Sequence, residues 1–369
     1  MNNSSDHNSS GLQIQEPFFG FSPLFIYPIA SLYIVIVVVA IIGNLMVSYA
    51  ILANRNLRNN PTNLLLLSLA ISDLLTVTLA VPFDIELLFL NGKWKHGKTM
   101  CITFLTVYLI TVPTSIFTLL AISVDRYKTL KDPLGRFRRS QFITQRRSLI
   151  VIAVVWSYCI VWALLPIMGW RDRSVEPIYK GTCSVPYTIV YNLLTSIMNF
   201  IFPLLLTCVF YILIYLIAHK HHNVNKRGGL PSTFKPTKED NKMYSRNMKA
   251  AKTTAMFVVV MFLCWQPFTY FSIIANLIGD TWDPYPYELY LVLLMLGYLN
   301  SALNPFLFAF RNKRFQSVYR KLLRSTTLGK FDSLGTVRRR STFSQSTSNS
   351  QIPEEESREV RLQSIKLKK

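Results

Sequence analysis

Asp73 lies inside the apolar run Leu69-Ala70-Ile71-Ser72-Asp73, where an ionised carboxylate needs a cation or several hydrogen-bond donors to persist. Asn44, Ser115, Asn300, Ser301 and Asn304 stand at comparable depths in other apolar runs. If they converge on Asp73 they form a small polar pocket able to hold a monovalent cation and waters; simple interhelical hydrogen bonding is the plainer alternative. A second group closes another apolar run, Asp125-Arg126-Tyr127. Adjacent Asp and Arg can pair and hold Arg126 folded against its own helix, and release would free a cation there. A third group is a pair of thiols. Cys101 opens one run and Cys183 precedes another, whereas Cys159, Cys208 and Cys264 lie inside runs where a buried free thiol is the default. If both outer cysteines face an oxidising compartment, one disulfide between them is the natural pairing.

The elements that hold these groups are seven apolar stretches, roughly 18–54, 61–83, 99–124, 148–170, 181–218, 253–279 and 289–310. A bilayer core about 30 Å thick needs about 20 apolar residues of helix to cross it. Strands of a membrane barrel are about half that length and alternate in polarity, so helices are expected. The fold class is therefore an all-α membrane protein, a seven-transmembrane helix bundle. The expected organisation is an N-terminal extracellular segment at 1–24, the bundle at 25–310, a surface helix at 311–324 and a disordered cytoplasmic tail at 325–369.

Charge orients the bundle. The chain carries 40 Lys and Arg against 19 acids, net +21. Six of the basic residues (Lys93, Lys95, Lys98, Arg171, Arg173 and Lys180) fall on one side, and all the others fall in 54–60, 125–147, 219–252 and 311–369. The positive-inside rule then predicts an outside N-terminus and a cytoplasmic C-terminus. The basic inner segments are expected to contact anionic lipid and not nucleic acid. The first 17 residues contain no Lys or Arg, so no basic region precedes an apolar core as in a cleaved signal; the first span is expected to direct insertion. Asn2, Asn3 and Asn8 each begin an N-x-Ser/Thr sequon on the expected outer side, as candidate glycosylation sites.

Pro82, Pro113, Pro166, Pro203, Pro267 and Pro305 place kinks in most of the spans, as expected of a bundle with more than one packing. After Phe310, apolar residues at Phe315, Val318, Tyr319, Leu322 and Leu323 follow helical spacing beside a basic face, which predicts a short amphipathic helix on the inner membrane surface. Arg338-Arg339-Arg340-Ser341-Thr342 places hydroxyls after three bases, and Ser341 to Ser350 is dense in Ser and Thr. Phosphorylated by kinases, that strip would offer an anionic docking site for an arrestin-type partner.

Taken in order, the motifs resemble the rhodopsin-like (class A) family of G protein-coupled receptors over roughly residues 25–323. The matches are Gly43-Asn44, Leu69-Ala70-x-x-Asp73, Trp94, Cys101, Asp125-Arg126-Tyr127, Pro133-Leu134, Trp156, Cys183, Pro203 with Tyr211, Cys264-Trp265-x-Pro267, Asn304-Pro305 and Phe315. The resemblance implies a multi-pass plasma-membrane receptor, not an enzyme. It would bind an extracellular small-molecule or peptide ligand and activate a heterotrimeric G protein by outward movement of the sixth helix. Asp73, Ser115, Asn300 and Asn304 resemble a sodium pocket; no other cofactor is implied. Trp265 resembles the rotamer switch below the ligand. Asp125, Arg126, Tyr127, Leu134 and Tyr211 resemble the G protein-coupling set.

Three departures from the family pattern matter. The seventh-span motif ends at Phe308 where Tyr is usual, Met261 replaces a common Phe, and Asn247 stands at the inner end of the sixth span where an acid could have bridged to Arg126. Raised basal signalling is the expectation. Receptors for amines carry an Asp on the third span where this chain has Tyr108, and opsins carry a Lys where this chain has Tyr298, so neither usual anchor is present. By helical facing, the ligand site would comprise Asp84, Tyr108, Val112, Thr195, Asn199, Trp265, Phe268, Thr269 and Tyr298, with Asp84 able to pair with a cationic ligand group. Two alternatives are a receptor-like protein with weak or constitutive coupling and a transporter; the latter lacks the internal repeat expected of it. No His lies in any span, and His219, His221 and His222 have no Cys partner of the kind a zinc site uses.

Overall fold

The computed structural model describes residues 20–131, 144–179, 181–226, 238–278, 286–311, 315–317 and 319–320. Seven helices among them are long and apolar enough to cross a bilayer: Pro23–Ala53, Pro61–Phe89, Gly97–Lys131, Gln145–Met168, Ile189–His219, Tyr244–Ile278 and Tyr287–Phe308, the first to seventh spans. Each coincides with one of the apolar stretches. The fifth begins later than its apolar run, because residues 182–188 are taken up by a strand and loop. The sixth belongs to a longer helix, Lys238–Ile278, whose polar end costs nothing outside the lipid.

Helix starts follow from capping chemistry. Ser22 caps the first span ahead of Pro23, Asn60 caps the second ahead of Pro61, Thr144 caps the fourth, and Thr188 caps the fifth. The fourth ends at Gly169, whose φ of 131° suits only glycine. The second span changes course at Ala80, dividing into Pro61–Leu79 and Val81–Phe89; Pro82 removes an amide there. The fifth carries a π-turn at Ser196–Ile201, just before Pro203.

The third span is the central one. Its most apolar window is 61% buried, against 17% for the fourth, and it packs on the second, fourth, fifth and sixth. The first span packs on the second and seventh, and the seventh on the sixth. Leu263, Val259, Leu277, Val154 and Val161 remain exposed, as a lipid-facing surface requires. Polar bonds stitch the spans where lipid offers none. Trp156 Nε1 donates to Ser68 Oγ at 2.9 Å and Asn44 Nδ2 to the Ser301 carbonyl at 3.0 Å. Thr76 Oγ1 meets Thr111 Oγ1 at 2.8 Å. Gly43 allows the first span to touch the seventh, since an added Cβ would lie 2.5 Å from Pro305 Cγ.

On the outer face a hairpin, β1 (Ile178–Tyr179) and β2 (Thr182–Cys183), turns at Gly181 and is tied to the third span by the Cys101–Cys183 disulfide. The Trp94 amide donates to the Gly181 carbonyl at 2.8 Å. Lys98 Nζ donates to Glu176 at 2.6 Å, and that bond and its charge hold the Glu176 carboxyl below its ordinary range. At the inner end, residues 315–317 and 319–320 are helical and Phe315 is buried against Phe308. The three sequons, Leu134, the rest of the surface helix and the tail lie outside the described residues.

Candidate functional site

The intramembrane acid assembles as a centre. Asp73, 1% exposed, accepts from Ser301 Oγ at 2.8 Å and Asn304 Nδ2 at 2.8 Å, with Ser115 Oγ at 3.5 Å. Ser115 also meets Ser72 Oγ at 2.8 Å. Of the residues expected around Asp73, Ser115 and Asn304 bond to it, while Asn300 does not; its neighbour Ser301, one position further round the seventh helix, takes that place. Asn300 Oδ1 is buried nearby in the bundle, and with Asn44 Oδ1 and Asn304 Oδ1 accepts no hydrogen bond among the described residues. A buried carboxylate and three unpartnered amide oxygens form a donor-poor, oxygen-rich set, the chemistry a hard monovalent cation or water satisfies.

Nearer the outer face lies a second buried acid. Asp84 sits in the first turn of Val81–Phe89 and accepts at Oδ2 from Tyr298 Oη at 2.8 Å. Tyr298 stands edge-on to Trp265 and Tyr108, with ring centroids 6.0 and 6.5 Å away, and Tyr108 is 6.0 Å from Trp265. Phe268 closes on Trp265 and Tyr108 at 6.2 and 6.5 Å. Val112 is buried in the same cluster. The expected ligand residues Asp84, Tyr108, Val112, Trp265, Phe268 and Tyr298 are thus gathered by four spans. The other three spend their polar groups elsewhere. Thr195 Oγ1 accepts from Trp162 and Asn199 Oδ1 from Tyr158, both on the fourth span, and Thr269 Oγ1 donates to the Trp265 carbonyl. Sequence reasoning passed over Tyr33, which is fully buried, stands 6.2 Å from Tyr298 and donates to the Leu291 carbonyl at 3.0 Å. A lone Tyr in so apolar a run was the available signal.

Trp265 is fixed from behind. Gly297 presents bare backbone to its ring, and a Cβ there would come within 2.6 Å of Cζ3. Phe200 of the π-turn lies 6.1 Å away on the other side.

At the inner end Arg126 Nη2 donates to Asp125 Oδ2 at 2.6 Å and also to Thr62 Oγ1, which itself donates to Asp125 at 3.2 Å. The predicted Asp–Arg pair is therefore present, with Thr62 of the second span as a third member that the sequence did not single out. Arg126 Nε is buried without an acceptor. Among the described residues no ion pair joins Arg126 to the sixth span. Tyr127 rests on Phe210 at 5.5 Å, and Tyr211 packs on the Leu130, Ile214 and Ala251 cluster. Phe308 fills its position as an apolar ring between Phe257 at 4.8 Å and Phe315 at 5.8 Å.

Comparison with known proteins agrees with this geometry. The family model described as 7 transmembrane receptor (rhodopsin family) matches residues 43–308. The chain is 33% identical over 292 residues to the histamine H2 receptor of Homo sapiens, covering 78% of this chain and 77% of that one. It is 32% identical over 302 residues to the 5-hydroxytryptamine receptor 4 of Cavia porcellus, covering 77% and 76%. The histamine H2 receptor of Rattus norvegicus matches at 32% over 334 residues, covering 90% and 87%. A membrane-buried acid centre, an aromatic cluster beneath the outer face and a caged arginine at the inner end, in seven spans matched over most of their length, place the chain in the rhodopsin family of seven-transmembrane receptors.

Proposed function

We propose that this receptor responds to an extracellular ligand carrying a protonated amine and relays the signal by outward movement of the sixth span. Family membership makes it a multi-pass plasma-membrane receptor with a G protein partner, and not an enzyme. Two relatives are named for histamine and 5-hydroxytryptamine, each an amine protonated at neutral pH. The observation that carries the reading is Trp265. It touches Tyr108 and Tyr298 on the ligand side and Phe200 on the core side, so a ligand that displaces either tyrosine must repack the sixth span.

At the far end, Arg126 is the group released. Leaving Asp125 and Thr62, it becomes a free cation for an inserted G protein segment, with Tyr127, Tyr211 and Leu134 completing that surface. Ligand and G protein then favour the same packing, and each strengthens the other's binding. Sodium, held by Asp73, Ser115 and the unpartnered amide oxygens of Asn300 and Asn304, would supply a positive charge that ties the second, third and seventh spans together and opposes the change. The disulfide lies at the end of the third span opposite Arg126, which supports an outside N-terminus, since disulfides form on the oxidising side. Glycosylation of Asn2, Asn3 or Asn8 follows from that orientation. Kinases and an arrestin at Ser341–Ser350, and anionic lipid at the basic inner segments, complete the partners. The missing acid at Asn247 favours a receptor with some signalling before ligand arrives.

The test is an amine panel in cells expressing the chain, reading cAMP, calcium and arrestin recruitment, with surface expression measured alongside. At least one amine is expected to signal, and Arg126→Ala is expected to abolish the G protein outputs. Undiminished G protein signalling through Arg126→Ala refutes the relay.

A further inference from the structure

We infer that the ligand's positive charge is seated on the second span, at Asp84 backed by Tyr298 and Tyr108, instead of on the third. The inference rests on the amine reading above and assigns it a place. The third span offers only Tyr108 at the level of the aromatic cluster. Asp84 is 5% exposed, and among the described residues no cation pairs with it. Its one described partner is the Tyr298 hydroxyl on Oδ2; Oδ1 accepts nothing among those residues. The other acids of the outer half are committed or open: Glu86 meets His96 at 2.5 Å, and Glu288 is exposed. A carboxylate withdrawn from water with one neutral donor is under-compensated, and an incoming ammonium supplies what it lacks.

Two further features favour a charged Asp84 facing a cation. It stands in the first turn of Val81–Phe89, where no side chain caps the free amides, so the helix dipole favours negative charge there. Tyr108 Oη is buried with no hydrogen-bond partner, a lone pair ready for an N–H of the ammonium. The rings of Tyr108, Tyr298 and Trp265, mutually 6.0 to 6.5 Å apart, give that ammonium aromatic surface on its remaining sides. Tyr33 is not part of the seat, because its hydroxyl already donates to the Leu291 carbonyl. The ammonium would displace the Tyr298 hydroxyl from Asp84 or share the carboxylate with it, which moves the ring standing against Trp265. Charge recognition and the switch are then one event.

The seat is tested on the purified full-length receptor with n-propylammonium chloride titrated against equimolar potassium chloride, reading the thermal midpoint. A rise is expected for the wild type, none for Asp84→Asn, and a reduced rise for Tyr108→Phe. The double variant Asp84→Asn with Tyr108→Asp returns a carboxylate to the third span and is expected to recover the rise, which also shows that the Asn variant folds. No rise in the wild type, or an equal rise in Asp84→Asn, overturns the seat. In cells, Asp84→Asn is expected to shift the half-maximal concentration of an active amine about 30-fold or more, the equivalent of about 2 kcal/mol for a buried charge partner. Amines that signal equally through Asp84→Asn would refute the seat and leave the amine reading standing. Amines that stabilise the wild type through Asp84 but never signal would refute the amine reading and leave the seat.

Discussion

Gly297→Ala should raise signalling in the absence of ligand. The added methyl would sit 2.6, 2.8 and 2.9 Å from Cζ3, Cε3 and Cη2 of Trp265. Ordinary contact begins near 3.4 Å, so ring or helix must yield by about 0.8 Å. An indole cannot bend to accommodate this, and it is flanked by Tyr108, Phe200, Phe268 and Tyr298 at 6.0 to 6.2 Å. Overpacking of this kind costs about 1–3 kcal/mol. The cost falls on the packing in which Trp265 lies against the seventh span. A packing with the sixth span swung outward moves the ring away and escapes it. If the whole penalty is differential, the ratio of active to inactive receptor rises by about 5- to 150-fold. The assay is ligand-free G protein activation per surface receptor, compared with Gly297→Ser and with the wild type. Basal output unchanged at equal surface expression would refute the proposed coupling between Trp265 and the inner end. A fall in basal output would show that the penalty lands on the active packing instead.

Asp73→Asn removes the only carboxylate of the intramembrane centre and leaves Ser115, Ser301 and Asn304 without their charged acceptor. Agonist affinity should lose its dependence on sodium chloride when measured against choline chloride; retained dependence would place the ion elsewhere. Asn247→Glu supplies the acid missing at the inner end of the sixth span. If it reaches the buried Arg126 Nε, a partly exposed pair worth up to about 1 kcal/mol should lower basal signalling by up to about fivefold at constant surface expression.

Helix number, order and facing were legible because a bilayer leaves the chain few choices. Apolar length reports crossing, and every backbone amide must be paired within its own helix. Asp73, Arg126, Trp265 and the Cys101–Cys183 bond were equally legible, since each is a residue whose presence in lipid or at its border is costly without a partner. What escaped was the second partner. Thr62 completes the Arg126 cage and Ser301 displaces Asn300 at Asp73, yet Ser and Thr are cheap within helices, where they bond their own preceding carbonyls, as Thr78 does to Leu74 and Thr114 to Ile110. Their presence in a span therefore carries little signal; only the rotation of neighbouring helices decides which of them turns inward.

The same reasoning explains the fate of Thr195 and Asn199. Their spacing on the fifth span puts them on one face, and helical facing alone aims that face at the ligand. The π-turn at Ser196–Ile201 adds a residue to one turn and rotates the remainder of the helix, so the two side chains meet Trp162 and Tyr158 of the fourth span while Phe200 meets Trp265. A π-turn has no reliable sequence signature beyond the nearby Pro203, and a facing argument carried across it errs by a predictable rotation. Asp84 escapes this error because it lies only four residues past the bend at Ala80, within the first turn whose geometry Pro82 fixes. Its inward placement is thus set locally, which is why an acid that could have faced water at the membrane border instead sits behind Tyr298.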